Sequence, residues 1–551
     1  LSMYGGFHHQ DYNDGKSSDK SQYTYVESGN TQSRSGSSKT MGNAAYWGID
    51  GSYELDSLNL FTLEFGGFYY NAKNSNDALA AMYDPAGNTL YSYRTHTWTP
   101  RTRYLDFHGS FNYQHSTRRK GEVITLSYQV SHNNNKTLSE SEYLDMYNFP
   151  APYTGINSDA NLNFLENTGQ IDWTRPFGEH HKVSVGAKVI ARKNSSLTEN
   201  EYVGVGTDNT DFDHNTTVGA GYFDYRYSVG VWSARAGLRY EYSRLSAKFK
   251  DGSNPDFGSS LNDWVPNASV MYNVSDASTL KFSYATRINR PGISFLNPAE
   301  TYTPTSLSYG NPDLESVHYN TLSLNYSLIK QKFNIDATLS YDFANNTITS
   351  LTSVDSNDFS TSTFANIGRS RNVELSLFGQ WSITPKTSVM LNGSVFYNKL
   401  SIPGVSNGRW GTNFFFRASQ QLPWKLRVEG FLFYDRGRLE SVYTFNANTI
   451  KSMFHALSLQ RNFLKEDRLT VKLQYVNPFS FHGMGQRSIT DRGDYRGWSV
   501  SEFNSARGAR LSISYRFGSV NATVKKSTAS IVNDDLQGGN SAPSTGGQMQ
   551  Q

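Results

Sequence analysis

The chain has 551 residues and a mass of 61.9 kDa, and its 51 Lys and Arg against 48 Asp and Glu leave a net charge of +3 and a pI near 8.6. No basic stripe breaks that balance, so the electrostatic footprint of a nucleic-acid binder is missing. Aromatics reach 14%, with 36 Tyr and 33 Phe, yet mean hydropathy is −0.58 and hydrophobic residues make up only 37%, too few aliphatics for a large water-soluble core. No apolar run approaches the roughly 18 residues of a membrane helix. Zero Cys removes disulfide frameworks, thiolate zinc sites, iron–sulfur clusters and cysteine nucleophiles.

Leu1 is not an initiator Met, and Leu-Ser-Met-Tyr-Gly-Gly-Phe reads at once as strand without a signal core, so the chain is expected to begin in the middle of a fold. From there a two-residue repeat carries the information, because alternate side chains of a strand face opposite sides. Phe61, Leu63 and Phe65 share a face that ends on Tyr69. Ile124, Leu126, Tyr128 and Val130 alternate with Thr125, Ser127, Gln129 and Ser131. Trp232, Ala234, Ala236, Leu238, Tyr240 and Tyr242 oppose Arg235, Arg239 and Glu241. Leu322, Leu324, Tyr326 and Leu328 follow, and Phe333 to Phe343 gives the longest run, with Asn334, Asp336, Thr338, Ser340 and Asp342 on its wet face. Leu511, Ile513, Tyr515 and Phe517 close the series. The tail 518–551, with Asp534-Asp535-Leu536-Gln537 and a Gly/Ser/Gln-rich end, is too polar to order itself and is expected to be disordered in the periplasm.

Strands of a soluble sandwich are typically five or six residues long, whereas these have the roughly nine to eleven that cross a bilayer, where closure into a barrel satisfies every backbone group. Connection lengths agree. Tight turns at 55–58, 116–121, 176–181, 274–278, 329–332, 384–387, 422–425 and 464–468 alternate with polar connections at 13–40, 74–100, 132–160, 195–211, 249–262, 290–316, 350–361, 400–411, 439–449 and 477–506. Short inner turns and long outer loops are the habit of outer-membrane barrels. The predicted architecture is all-β: a transmembrane antiparallel up-and-down barrel over 1–517, with about twenty strands visible.

Three segments carry a family resemblance. Trp232-Ser-Ala-Arg-Ala-Gly-Leu-Arg-Tyr-Glu-Tyr242, then Ser283-Tyr-Ala-Thr-Arg-Ile-Asn-Arg-Pro291 with Leu296-Asn297-Pro298, then Tyr309-Gly310-Asn311-Pro312-Asp313-Leu314 resemble the barrel of TonB-dependent outer-membrane receptors, most closely the Bacteroidetes-type outer-membrane β-barrel family. The resemblance spans essentially the whole barrel. It implies a barrel of about 22 strands whose lumen is blocked by an N-terminal plug, opened when TonB pulls on it. One hairpin, the plug, the TonB-contacting segment and a signal peptide are then expected upstream of Leu1, so the plug segment that meets TonB is absent from this chain.

Candidate residues fall into two sets. Arg290, Pro291, Asn297, Pro298, Tyr302, Tyr309, Gly310, Asn311 and Pro312 belong to one outer connection, where Pro and Gly fix an irregular backbone and Tyr and Asn offer stacking and hydrogen bonds. Ligand contact and plain loop architecture both account for them. Glu64, Arg235, Arg239, Glu241, Asp336, Asp342 and Glu374 are expected to face the lumen, as a polar path, as plug partners, or as a wall that tolerates water. Trp98, Trp410, Tyr495 and Trp498 suit either stacking on a ligand or the lipid headgroup level. His8-His9 and His180-His181 are adjacent on strands, point to opposite faces and read as surface histidines rather than chelating pairs.

The functional expectation is a receptor barrel for TonB-dependent uptake of a nutrient of siderophore, cobalamin, glycan or peptide class. Its expected partners are outer-membrane lipid, TonB, an unknown nutrient ligand and a surface lipoprotein, with no cofactor, no metal and no nucleic acid. No catalytic set is found: Gly-x-Ser-x-Gly, a phosphate loop and His-Glu-x-x-His are all absent, and Val203-Gly-Val-Gly206 reads as a loop. The alternative is a passive channel or surface-binding barrel without TonB coupling.

Overall fold

The computed structural model describes residues 2–10, 15–252, 255–298, 300–439, 441–450, 453–479, 484–503, 508–516, 531, 533 and 535–537. From Thr31–Glu54 onward each long strand pairs antiparallel with the next, through Asn59–Tyr83, Thr89–Ser116, Val123–Tyr147, Gly155–Phe177, His181–Tyr202, Gly206–Val229, Trp232–Phe249, Phe257–Ser275 and Ser278–Pro291. The meander continues through Val317–Ile329, Phe333–Val354, Ser360–Thr384, Thr387–Ile402, Val405–Gln421 and Leu426–Asp435. Four further passes are interrupted. Ser2–Gln10 and Lys16–Tyr25 both pair with Thr31–Glu54, one beyond the other, as a single outbound strand. Thr444–Ile450 with Met453–Phe463, Leu469–Val476 with Met484–Asp491, and Tyr495–Phe503 with Gly508–Tyr515 do the same, giving twenty passes among the described residues. Lys16–Tyr25 bonds to Tyr495–Phe503, from Ser17 opposite Phe503 to Tyr25 opposite Tyr495, and this seam joins the first pass to the last.

The apolar faces look outward. Leu339 sits abreast of Leu324 and Leu375 on its two neighbours, and the three are 48%, 41% and 54% exposed. Between them on the other face lie Thr338 and Ser340, and the same parity runs through His181–Tyr202, where Val185 and Val189 are exposed while Lys188, Ile190 and Arg192 are buried. A greasy exterior and a polar interior are what lipid outside and water inside select.

The inner turns fall where the sequence places them, with one more at Gly230-Val231. At Asp56 the carboxylate accepts the backbone N–H groups of Leu58 and Asn59, both at 2.8 Å, closing that turn. The outer side departs from expectation. The connections expected at 13–40, 74–100, 132–160 and 195–211 are largely strand, turning only at short tips such as 84–88 and 203–205. Above the membrane both faces of a ribbon meet water, so the backbone ladder persists without a hydrophobic alternation to reveal it. Among the described residues only 292–316 is a long irregular connection, holding the short helix Ile293–Leu296 and a small hairpin, Thr301–Thr303 with Ser306–Ser308. Phe517, expected to close the last strand, lies outside the described residues, and that strand is described to Tyr515.

Candidate functional site: the lumenal ion cluster and the loop above it

The loop is knitted by its own backbone. Gly310 N–H donates to the Asn297 carbonyl at 2.7 Å, and Asn311 N–H to the Phe295 carbonyl at 2.6 Å. A Cβ on Gly310 would lie 2.5 Å from the Asn297 oxygen and 2.7 Å from the Phe295 oxygen, so glycine is needed for this close approach. The Asn311 side-chain amide reaches the Phe364 carbonyl at 2.9 Å, and Phe295 packs edge-on against Phe364, which ties the loop to the strand Ser360–Thr384. Tyr309 N–H donates to the Ser362 carbonyl. Pro298 and Pro312 are half-buried in this fold-back, while Tyr302 is exposed and donates its hydroxyl to Glu300 at 2.6 Å, a bond that pushes its phenol up.

Arg290 leads elsewhere. The ladder between Phe257–Ser275 and Ser278–Pro291 stops at Asn267 opposite Ala285, although the other edge stays paired to Asn289 opposite Val317. Beyond that parting, Arg290 is buried and its Nη2 meets Glu241 at 2.5 Å and Asp263 at 3.4 Å. His318 Nε2 lies 3.1 Å from the other oxygen of Asp263. A second arginine, Arg192, is equally buried and bonds Glu166 through Nε at 2.5 Å.

Asp535 joins the two. Its oxygens take Arg192 Nη1 and Nη2 at 2.9 and 2.6 Å and Arg290 Nη1 at 2.6 Å, and its carbonyl accepts the Arg290 backbone N–H. Asn533 donates to Glu166 at 2.6 Å and to Thr168 at 2.8 Å, while Leu536–Gln537 runs parallel to Arg290-Pro291. Asn533 and Asp535, among the few described residues of the 518–551 tail, stand on the lumenal wall; the rest of the tail, expected to be disordered in the periplasm, lies outside the described residues. Composition counts apolar residues; it cannot register two buried guanidinium groups waiting for a carboxylate. Beside Asp535 a cavity of about 250 Å³ is lined by Lys188, Arg239, Glu241, Thr286 and Asn533.

The remaining lumenal residues, Glu64 apart, are held in pairs around the wall. Arg235 bonds Asp224 at 2.6 Å, and Arg239 bonds Glu241 and covers the Tyr222 ring. Asp336 accepts from Asn325 at 2.9 Å, Asp342 from Thr321 at 2.7 Å, and Glu374 from Ser376 and Arg438. Glu64 is exposed on the face opposite Leu63 and Phe65. Of these, only Glu241 and Arg239 join Arg290. Sequence reading missed Arg192, Glu166, Asp263 and Asp535, although Lys188 and Arg192 share the inward parity opposite Val185 and Val189, a signal open to the same test.

The other candidates disperse. Trp410 is exposed on the parity of Phe416 and packs on Tyr397, Tyr495 stacks edge-on with Tyr23 at the seam, Trp498 is paired there with Gln22, and Trp98 lies in the strand Thr89–Ser116. His180 and His181 bond the Ser228 carbonyl and the Tyr225 hydroxyl separately, His9 bonds Asn43, and His8 lies in the strand Ser2–Gln10 opposite Ala44. Among the described residues no group of three His, Cys, Asp or Glu is placed to hold a metal ion.

A family model described as "Outer membrane protein beta-barrel family" matches residues 115–515. No curated protein matches the chain. Among solved structures, the siderophore receptor PiuA from Acinetobacter baumannii superposes with a TM-score of 0.51 at 11% identity, covering 90% of this chain and 82% of that one. The unliganded ferric citrate transporter FecA gives a TM-score of 0.53 at 12% identity, covering 88% and 78%, and the copper transporter OprC 0.52 at 10%, covering 90% and 81%. At these identities the likeness is one of fold.

Proposed function

Because the chain belongs to the outer membrane protein beta-barrel family and so resides in the Gram-negative outer membrane, we propose that it is the barrel of a TonB-dependent receptor importing a scarce or bulky nutrient. In this reading residues 1–517 are the transport body, and its outer ribbons and the 290–312 connection receive the solute. The lumenal set of Glu64, Arg235, Arg239, Glu241, Asp336, Asp342 and Glu374 then borders the route and meets a plug supplied by the parent protein. TonB, drawing on inner-membrane energy, moves that plug. No covalent step is asked of any residue: the protein binds, gates and conducts.

The observation that carries the reading is the charged and hydrogen-bonded interior within an apolar exterior, in a family match that covers most of the barrel. Proteins of the same fold named for siderophore, ferric citrate and copper uptake support import as the activity and chelated metal as one substrate class, beside cobalamin, glycan and peptide. The test is uptake by cells carrying the full-length gene or its deletion, fed ferric citrate, cobalamin, a glycan or an oligopeptide as sole source. Uptake should need both the gene and an energised inner membrane. Gene-dependent uptake that survives collapse of the proton gradient would instead establish a passive channel.

A further inference from the structure

We propose that the barrel interior contains a binding site for a carboxylate-bearing extended peptide, built on Arg192 and Arg290, and that its occupant is the segment around Asp535 of the same chain. This goes beyond the uptake reading and does not depend on it.

The wall holds both arginines by their other donors. With the segment in place the side chains of Arg192 and Arg290 are only 1% and 5% exposed, and buried guanidinium groups need hydrogen-bonding partners, anionic ones above all. The wall supplies some of them: Glu166 holds Nε of Arg192, while Glu241 and Asp263 hold Nη2 of Arg290. What the wall leaves open is both terminal nitrogens of Arg192 and Nη1 and Nε of Arg290; Asp535 fills the first three, and Nε stays buried without a hydrogen-bond partner. Arg192 meets both carboxylate oxygens, the two-pronged geometry that separates a carboxylate from a single-point acceptor.

Recognition extends along the backbone. Asn533 and Asp535, two residues apart, reach the same wall, as alternate positions of an extended segment do, and Leu536–Gln537 adds two residues of parallel pairing to the edge that Ser278–Pro291 exposes where it parts from Phe257–Ser275. The distance is manageable: Arg192 stands eleven residues past His181, about 30 Å above the inner turn along a tilted strand, while the fifteen residues from Arg516 to Ile531 span up to about 50 Å. The segment is thus a tethered ligand, and any other acidic peptide entering the lumen competes with it for the same arginine pair.

Residues 1–551 hold no cysteine, so within the barrel and tail only the introduced thiols can be joined. In the full-length protein in outer membranes, Thr168→Cys with Asn533→Cys, whose side chains touch at 2.8 Å, should join through a short bis-thiol reagent. Adding Asp535→Ala should lower the yield about tenfold, since it removes the charge-assisted bonds to both arginines. Ser283→Cys with Ser323→Cys, whose hydroxyls are 2.7 Å apart on paired strands, reports that the barrel is folded and the reagent active in every variant. Failure of the first pair where the control pair joins overturns the proposal, and so does a yield that Asp535→Ala leaves unchanged.

Discussion

A charge placed on the outer face at mid-height separates a lipid-facing barrel from any other arrangement of these strands. Leu339 lies six residues past Phe333, where its pass leaves the inner turn. At about 3.3 Å per residue and a tilt near 40°, that is about 15 Å up, close to the middle of an apolar band about 25 Å tall. It is flanked on the same face by Leu324 and Leu375, so an arginine there finds no acceptor beside it. Leu339→Arg is therefore expected to cost about 2–4 kcal/mol. Ser340→Arg lies one residue away at the same depth, faces the lumen and sits opposite Glu374; its expected cost is within about 1 kcal/mol of zero. The assay is a urea titration of the purified protein with lipid vesicles, read by heat-dependent gel mobility. Equal costs at the two sites, or a larger one at Ser340, would refute the assignment of faces.

Three further outcomes follow from single contacts. Gly310→Ala should cost about 1–3 kcal/mol, because its new methyl meets backbone oxygens that cannot step aside, and limited proteolysis should then cut 292–316 faster. Arg290→Ala takes the arginine from buried Asp263, which keeps only His318 as a basic partner, and one of two from Glu241, which keeps Arg239, and should cost about 3–5 kcal/mol in the same urea titration, with Arg290→Lys recovering only part. Asp56 is held below its ordinary 3.8 by the Leu58 N–H and the Asn59 side chain, so its contribution is complete above that value and is lost as pH falls through the depressed one; Asp56→Asn should flatten this acid limb of the stability curve.

How much of this was legible follows from what writes a pattern. The run from Phe333 to Phe343 has lipid on one side and water on the other, and so it announces both its strand and its faces. Thr89–Ser116 has water on both sides for much of its length, and its outer half reads as loop although it stays paired on both edges through several bulges. In the interrupted first pass Ser2–Gln10 reads as strand from its opening residues, whereas Lys16–Tyr25 reads as loop for the same reason. At the site, Arg290 and Glu241 stood out through their motifs, whereas the contact of Asp535 with Arg192 links residues 343 apart in sequence, which no local signal reports.

The ribbons that continue outward set the height at which the molecule first meets its surroundings. The longest, Thr89–Ser116, has 28 residues; at about 3.3 Å each and a tilt near 40° it rises about 70 Å, and its tip stands roughly 25 Å clear of the headgroups once a bilayer of about 40–45 Å including them is subtracted. The screening length in physiological salt is about 8 Å. A solute arriving at the rim is thus several screening lengths from the anionic lipid surface, and its first encounter is governed by the rim's own side chains alone.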